Sequence, residues 1–412
     1  MNSKRILLIH NRGYHASGPE TYLMNIKKLL EDNGNFCKIF CLDYQQNDLS
    51  NISEFAPKPF GSQNTYSYSE QNLTFLDKIS ISIFSIWDIR VFMALKRELQ
   101  SQKYDFAIVL QYSGKLSSSI FAALRLYRVP AVIRQSDYGL LCMRNTFQDT
   151  HGSICTLCVD QPTKSFVKNC GGSFVKTVFL FLLLYINRTL LPKKASCLMW
   201  TNKFAHNLAK RSRPLKHLRH SLNYTLGYKA NSKECIPTDF KYDFIYFGRL
   251  SVDKGVNVLL EFFSQHKNSR ILLVGESSKA DISVWKQYSE CVNITILPKC
   301  DQHTVKKYIR MSKFCILYST WFDNLPNTLI EAYACSKPVL MPNIGSFIEF
   351  QVHEKLSFEN LAELKLAHDF ALKMDDDEYL KIVEEVEDKY ESHFSPRLHL
   401  ANYAQIVNYI NF

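Results

Sequence analysis

The stretch from Trp321 to Pro342 reads WFDNLPNTLIEAYACSKPVLMP, and it packs a turn, a helix start and a following strand into one short segment. Asn324-Leu325-Pro326-Asn327 predicts a turn feeding a helix, because Pro326 donates no backbone hydrogen bond and Asn is a favoured N-cap type. Thr328 to Cys335 predicts a short helix, Lys337-Pro338 ends it, and Val339-Leu340-Met341 predicts a buried strand. A helix N-terminus leaves backbone N–H groups unpaired and carries partial positive charge, which suits a phosphate. Glu331, just behind it, could accept hydrogen bonds from the vicinal hydroxyls of a ribose. An ordinary βαβ unit with a proline-ended helix would read much the same.

A second segment, Phe244 to Leu260 (FIYFGRLSVDKGVNVLL), has the same strand–turn–helix character. Phe244-Ile245-Tyr246-Phe247 is a strand-type run, followed by Gly248-Arg249, a Ser-Val-Asp turn and Lys254-Gly255 opening an apolar helix. Ligands of open α/β sheets bind outside the carboxyl ends of the strands, so Arg249 and Lys254 would project into such a crevice. Arg grips two oxygens at once and Lys acts as a mobile point charge, a pairing suited to a departing diphosphate. Each charge-assisted bond is worth roughly 1.5–3 kcal/mol.

Together these segments resemble the donor-binding half of family 4 glycosyltransferases, retaining enzymes with the GT-B fold. In that family two acidic residues are separated by seven others, and the second is followed by Ala and then Gly-x-Pro-Val. Here Asp323 and Glu331 have the spacing, followed by Ala332 and Lys337-Pro338-Val339; Asp stands for the commoner Glu, and Ser336 for the usual Gly. The resemblance implies that Arg249 and Lys254 bind the donor pyrophosphate with help from Asn327 and Thr328. It implies that Glu331 binds the ribose and that Asp323 orients the sugar. Gly248 belongs to the same Gly-Arg motif. Arg270–Gly275 resembles the next strand, with Gly275 near the nucleotide. Asn293–Pro298 resembles the strand whose end, at Pro298, contacts the base, and Thr304–Tyr318 a helix followed by a strand.

The expected fold class is therefore α/β, GT-B, with two Rossmann-like domains facing across a cleft; 412 residues are enough for two. The expected division is an acceptor-side domain 1–222 with a cysteine-rich insertion at about 138–172, a linker 223–240, a nucleotide-sugar domain 241–392, and a C-terminal helix 393–412 packing back on the first domain. Strand-type runs at Ile6–His10, Cys37–Leu42, Phe106–Gln111, Ala131–Arg134 and Cys197–Thr201 alternate with helical stretches at Glu20–Asp32, Ile89–Ser101 and Ser117–Leu126. Residues 44–75, rich in Asn, Ser, Gln and Pro, read as a loop insertion. No signal peptide is expected, because the first apolar run is too short.

Charge is lopsided. Residues 1–222 hold 29 Lys and Arg against 14 Asp and Glu, net +15, whereas residues 223–412 hold 21 against 25, net −4. A basic first half suits an anionic membrane surface or a plain solvated face. Nucleic acid is not expected, since no reader motif is present. The apolar run Val178–Ile186 is far below the ~20 residues a bilayer span needs, and reads either as a buried helix or as a segment partly inserted at a membrane surface.

Three features of the first half bear on function. Asn11–Glu20 (NRGYHASGPE) resembles the family's glycine loop, which places Gly18 near the donor phosphate; it is not GxGxxG. Glu20 reads as a helix-start residue favoured by the dipole, and His15 as a plain loop histidine. In Arg134–Gly139 (RQSDYG) the family's His is replaced by Ser136, leaving Asp137 as an acceptor-side candidate or a turn cap. Cys142, Cys155, Cys158 and Cys170, with Cys155 and Cys158 forming a CxxC, suggest four soft ligands for a structural zinc; an iron–sulfur cluster or unligated cysteines are the alternatives.

The resulting expectation is a retaining transferase that moves a sugar from a nucleoside diphosphate sugar to a glycan or lipid-linked acceptor in surface polysaccharide or lipopolysaccharide assembly. No catalytic cofactor is expected, and the expected setting is cytoplasmic, at the inner leaflet of the membrane. A GT-B nucleotide-sugar epimerase and a degenerate, non-catalytic sugar-nucleotide-binding protein remain open.

Overall fold

A computed structural model describes the chain except residues 1, 2, 17, 69, 70, 192–195, 228–239, 279–284, 289, 411 and 412. It divides into two compact units, Met1–Tyr224 with His399–Phe412, and Thr225–Leu398. Most of the expected linker, 223–240, lies outside the described residues.

Unit 1 runs β1 (Arg5–Ile9), α1 (Gly18–Asp32), β2 (Phe36–Phe40), α2 (Phe75–Ile86), α3 (Ile89–Ser101), β3 (Phe106–Val109), α4 (Ser119–Leu126), β4 (Ala131–Gln135), α5 (Lys164–Val167), α6 (Phe174–Leu190), β5 (Ser196–Trp200), α7 (Lys203–Arg211) and β6 (Arg219–Leu222). The strands form one sheet in the order β2-β1-β3-β4-β5-β6, with every pairing parallel. Parallel sheets are covered on both faces, and accordingly Ile6–Ile9, Phe106–Val109 and Ala131–Ile133 are wholly buried.

Local sterics explain small departures from the sequence reading. Helix α4 starts at Ser119 rather than Ser117, because Ser117 has a left-handed backbone (φ 63°) that a right-handed helix cannot contain. Strand β2 stops at Phe40, and Leu42 instead donates its N–H to Asn11 O at 3.3 Å. From the last helix, His399 Nε2 and Tyr403 Oη lie 2.8 and 3.1 Å from the Tyr22 hydroxyl on α1.

The apolar run Val178–Ile186 is half-buried rather than wholly buried. It forms the middle of α6, where Leu184 is buried with Thr177, Asn187 and Arg188, Leu182 and Tyr185 are exposed, and the rest of the run is partly covered. The guanidinium of Arg188 decides this orientation, because it donates to the carbonyls of Leu140 (2.8 Å) and Cys158 (3.1 Å) and so draws the polar side of the helix inward.

Unit 2 runs β7 (Tyr242–Phe247), α8 (Val256–Gln265), β8 (Ile271–Gly275), β9 (Ile294–Pro298), α9 (Gln302–Arg310), β10 (Ser312–Ile316), α10 (Asn327–Ala334), β11 (Val339–Pro342), β12 (Ser357–Phe358), α11 (Leu361–Lys373) and α12 (Asp376–His393); α13 (Pro396–Ile410) carries the chain into unit 1. The parallel order β12-β11-β10-β7-β8-β9 is the doubly wound nucleotide-binding order, and its direction reverses between β7 and β10. The crevice at such a reversal, outside the carboxyl ends of the two strands, is where these sheets bind ligands. The core beneath it comprises Phe244, Phe263, Leu273, Phe314 and Leu340, all buried.

Candidate functional site

The chain leaves β7 at Gly248, and its backbone there has φ 125°, open only to glycine. A Cβ on Gly275, at the end of β8, would lie 1.6 Å from the carbonyl oxygen of Gly248, so the two strand ends touch backbone to backbone. A Cβ on Gly248 would meet Thr328 Cγ2 at 3.1 Å, which places the start of α10 directly against this turn. At Gly255 (φ 66°) a Cβ would fall 2.1 Å from the Tyr318 ring, binding the turn after β7 to the loop after β10. The two motifs read from sequence are therefore one site at the switch point of unit 2.

Within it, Lys254 Nζ lies 2.5 Å from Asp323 Oδ2 and 4.9 Å from the centre of the Trp321 ring. Ser346 Oγ donates to the Asp323 carbonyl at 2.7 Å and fixes that loop. Arg249 is exposed and paired with Asp253 at 2.6 Å, four residues along the turn. Two further polar atoms, Ser251 Oγ and Trp321 Nε1, are buried without a hydrogen-bond partner among the described residues. They were not singled out from sequence, although each sits inside a motif that was.

Helix α10 begins one residue earlier than expected. Pro326 occupies the N-cap (φ −70°, ψ 128°) and makes no side-chain cap bond, so Asn327 and Thr328 are the first helical residues rather than the cap and its successor. Glu331 is half-buried, and no hydrogen bond to its carboxylate is present among the described residues. Burial pushes its pKa up to about 7, opposed by the positive charge of Lys306. A carboxylate so placed is desolvated with only the charge of Lys306 to offset it, a condition that a pair of ligand hydroxyls would relieve. Ser336, where the resembled family has Gly, has φ 55°, which gives the reason for Gly there; its hydroxyl lies 2.5 Å from Glu387. Pro298 is exposed at the end of β9, in register with Gly275.

Gly18 and Asp137 belong to unit 1. Gly18 opens α1, and Glu20 in the first turn is buried and ion-paired with Arg12 Nε at 2.8 Å, so it does more than complement the helix dipole. His10 Nε2 is 3.7 Å from the same carboxylate, and burial holds that histidine down at about 4. His15 is exposed and bonds Thr21. Asp137 Oδ1 accepts the Gly139 N–H at 2.7 Å, the turn-cap geometry. Burial raises its pKa, against the pull of that bond.

The four loop cysteines share one neighbourhood. Burial pushes the Cys158 thiol up to about 12, and the charges of Cys142, Cys170 and Cys155 push the same way. Burial raises the Cys142 thiol pKa too, against the pull of the nearby backbone N–H groups of Arg144, Phe147 and Thr146. Cys158 and Cys170 pack with Met143 and Leu184. Among the described residues no group of three His, Cys, Asp or Glu side chains is disposed to hold a metal ion as it stands.

Residues 231–386 match the family model described as Glycosyl transferases group 1. No curated protein sequence matches the chain. Among solved structures, a sucrose-phosphate synthase from Thermosynechococcus elongatus is similar with a TM-score of 0.69 and 14% identity, covering 99% of both chains. HepE from Anabaena, in complex with UDP-glucose, gives 0.60 and 14% over 99% of both chains. WaaG, a glycosyltransferase involved in lipopolysaccharide biosynthesis, gives 0.61 and 10% over 97% of this chain and 99% of its own.

At such identities the likeness carries the fold, and the fold is GT-B: two α/β units, each built on a six-stranded parallel sheet. With residues 231–386 similar to the group 1 model and the GT-B fold around them, the protein is a glycosyltransferase.

Proposed function

We propose a retaining, family 4 type transferase that moves a sugar from a nucleoside diphosphate sugar to a hydroxyl of a glycan or lipid-linked acceptor. The proposed setting is polysaccharide or lipopolysaccharide assembly at the cytoplasmic face of a membrane. The observation that carries the reading is the meeting of Lys254, Asp323, Thr328 and the Gly248 turn at one switch point, with a desolvated Glu331 behind them. Lys254, Arg249 and the first N–H groups of α10 stabilise the departing diphosphate, as oxyanion-hole donors stabilise developing charge. Asp323 orients the sugar and Glu331 takes the ribose diol. Gly248 and Gly275 let the backbone approach the nucleotide, and Pro298 borders the base. Gly18 and Asp137 serve the phosphate and acceptor side. The bond from the anomeric carbon to phosphate oxygen breaks, the bond to the acceptor oxygen forms on the same face, and the acceptor proton passes to the leaving phosphate.

A panel of nucleoside diphosphate sugars in a thermal-shift assay tests this, beginning with UDP-sugars because the similar HepE structure holds UDP-glucose. A donor at ~100 times its Kd should stabilise the fold by about 2.7 kcal/mol. A selective rise with one donor, followed by acceptor-dependent release of its nucleoside diphosphate, is the expected result. Undiminished transfer by Glu331→Ala would overturn the donor site.

The same proposal includes a structural zinc on Cys142, Cys155, Cys158 and Cys170. Its support is the soft donor set in one loop, with the four sulfurs close enough to raise one another's thiol pKa. The thiols must lose their protons and turn toward one point to take the ion. Metal analysis of protein purified without chelator should find one equivalent, and Cys155→Ser should lose it together with several degrees of Tm. A clearly substoichiometric ion in protein whose four cysteines are all reduced would leave them as packing residues.

A further inference from the structure

We propose that the outward face of α2, α6 and the adjoining end of α5 docks on an anionic lipid bilayer. This deepens the membrane setting suggested above, but it stands on the residues of unit 1 and needs nothing from the donor site.

The two helices pack against each other, and α5 packs on α6. Both long helices expose large apolar side chains where an ordinary surface helix exposes polar ones. Helix α2 buries only Ser85 while Phe75 and Leu76 are 76% and 72% exposed, and Ile79 and Ile83 continue the stripe. Helix α6 buries Leu184 together with Thr177, Asn187 and Arg188, and leaves Phe174 and Val175 73% and 78% exposed, with Leu182 and Tyr185 further along. Val167, at the end of α5, is 81% exposed. A surface helix normally turns its polar face to water, and contiguous exposed apolar area marks an interaction site.

Charge selects the occupant. From 161 to 190 the chain carries Lys164, Lys168, Lys176 and Arg188 and no Asp or Glu. Lys164, Lys168 and Lys176 are exposed beside the apolar residues, Lys168 with Asp149 3.4 Å away, whereas Arg188 is turned inward. Aliphatic and aromatic side chains flanked by lysines match the boundary of an anionic bilayer, where apolar burial and attraction to the headgroups act together. No helix among the described residues is long and apolar enough to cross a membrane, so the contact is parallel to the surface.

The test is flotation of the full chain with vesicles of phosphatidylcholine alone or with one-third phosphatidylglycerol. Binding should need the anionic lipid and weaken with salt. The triple variant Leu76→Ser, Val167→Ser, Val175→Ser should lose at least about tenfold in partitioning, as should Lys164→Gln, Lys168→Gln, Lys176→Gln. All six positions are exposed, and among the described residues Lys168 alone of the six has an ion partner, Asp149 at 3.4 Å, so Lys168→Gln by itself measures what that pair adds to the melting temperature. An unmoved melting temperature in the serine variant separates lost docking from lost fold. Absence of binding to phosphatidylglycerol vesicles, or binding unmoved by both variants, overturns the proposal. A dimer in light scattering that the serine variant dissolves, without vesicle binding, assigns the face to a second copy of the chain and overturns it equally.

Discussion

Replacing Lys254 by Ala should lower kcat/KM for transfer by about 10²–10³, the loss typical of removing one group that stabilises charge developing in a transition state. The expectation rests on where the ammonium sits. It is within 2.5 Å of Asp323 and over the face of Trp321, on the turn that a glycine at 255 presses against the loop after β10. The lysine is therefore held at the mouth of the switch point rather than waving in solvent. Losing it also deprives the mostly buried Asp323 carboxylate of that cation, so stability should fall by about 1–3 kcal/mol. A double-mutant cycle with Asp323→Ala separates the two effects. Because Asp323 itself orients the sugar in the proposed site, the double variant reports on stability alone, which should recover relative to Lys254→Ala. Transfer is read from Lys254→Ala at a temperature where it stays folded, and there it should stay low. Wild-type kcat/KM in Lys254→Ala would remove the lysine from the diphosphate site.

How much of this site the sequence disclosed depends on the range of the interactions that build it. Gly248-Arg249 and Lys254-Gly255 were legible because a strand end, a turn and a helix start are written in adjacent residues, and the element order of unit 2 follows from the same alternation. Contacts between distant segments left no such trace. Nothing near Gly275 in sequence announces that its Cα hydrogen faces the carbonyl of Gly248, and nothing near Glu20 announces Arg12 folding back upon it. The cap at Pro326 went to the residue with the extended backbone instead of the one with the better capping side chain, since the proline already fixes φ. Helix α6 misled for a related reason. Nine apolar residues in a row suggest burial, but the few polar ones among their neighbours decide which side faces in, through bonds from Arg188 to carbonyls some 30 and 48 residues away. Asp137 could be read as an acceptor group or a turn cap from its type alone; only the 2.7 Å bond to Gly139 shows the cap in place.

Glu331→Gln should make the unliganded protein more stable at pH 8 and a worse transferase at every pH. The carboxyl titrates at about 7 in the fold, against an ordinary 4.5, because burial disfavours its charged form. A raised carboxyl pKa means that the folded state holds the proton more tightly than the unfolded chain. Its contribution is full below about 4.5, declines as the pH climbs, and is gone above about 7. The difference of the two values corresponds to at most about 3 kcal/mol, reduced by the solvent that a half-buried group retains. Gln keeps the shape and cannot ionise, so urea titrations should show the wild type losing stability between pH 5 and pH 8 where the variant does not. A nucleotide reverses the balance, since two ribose hydroxyls hydrogen-bonded to a carboxylate are worth more than the same bonds to an amide. Transfer by the variant should therefore fall by about 10–100-fold, mostly through weaker donor binding. Donor should also pull the Glu331 pKa down, so that wild-type affinity rises with pH through about 7 while the variant's stays flat. Parallel pH profiles of donor affinity in the two proteins would detach Glu331 from the ribose. A profile that flattens only in the variant would tie the cost of the desolvated carboxylate to donor affinity.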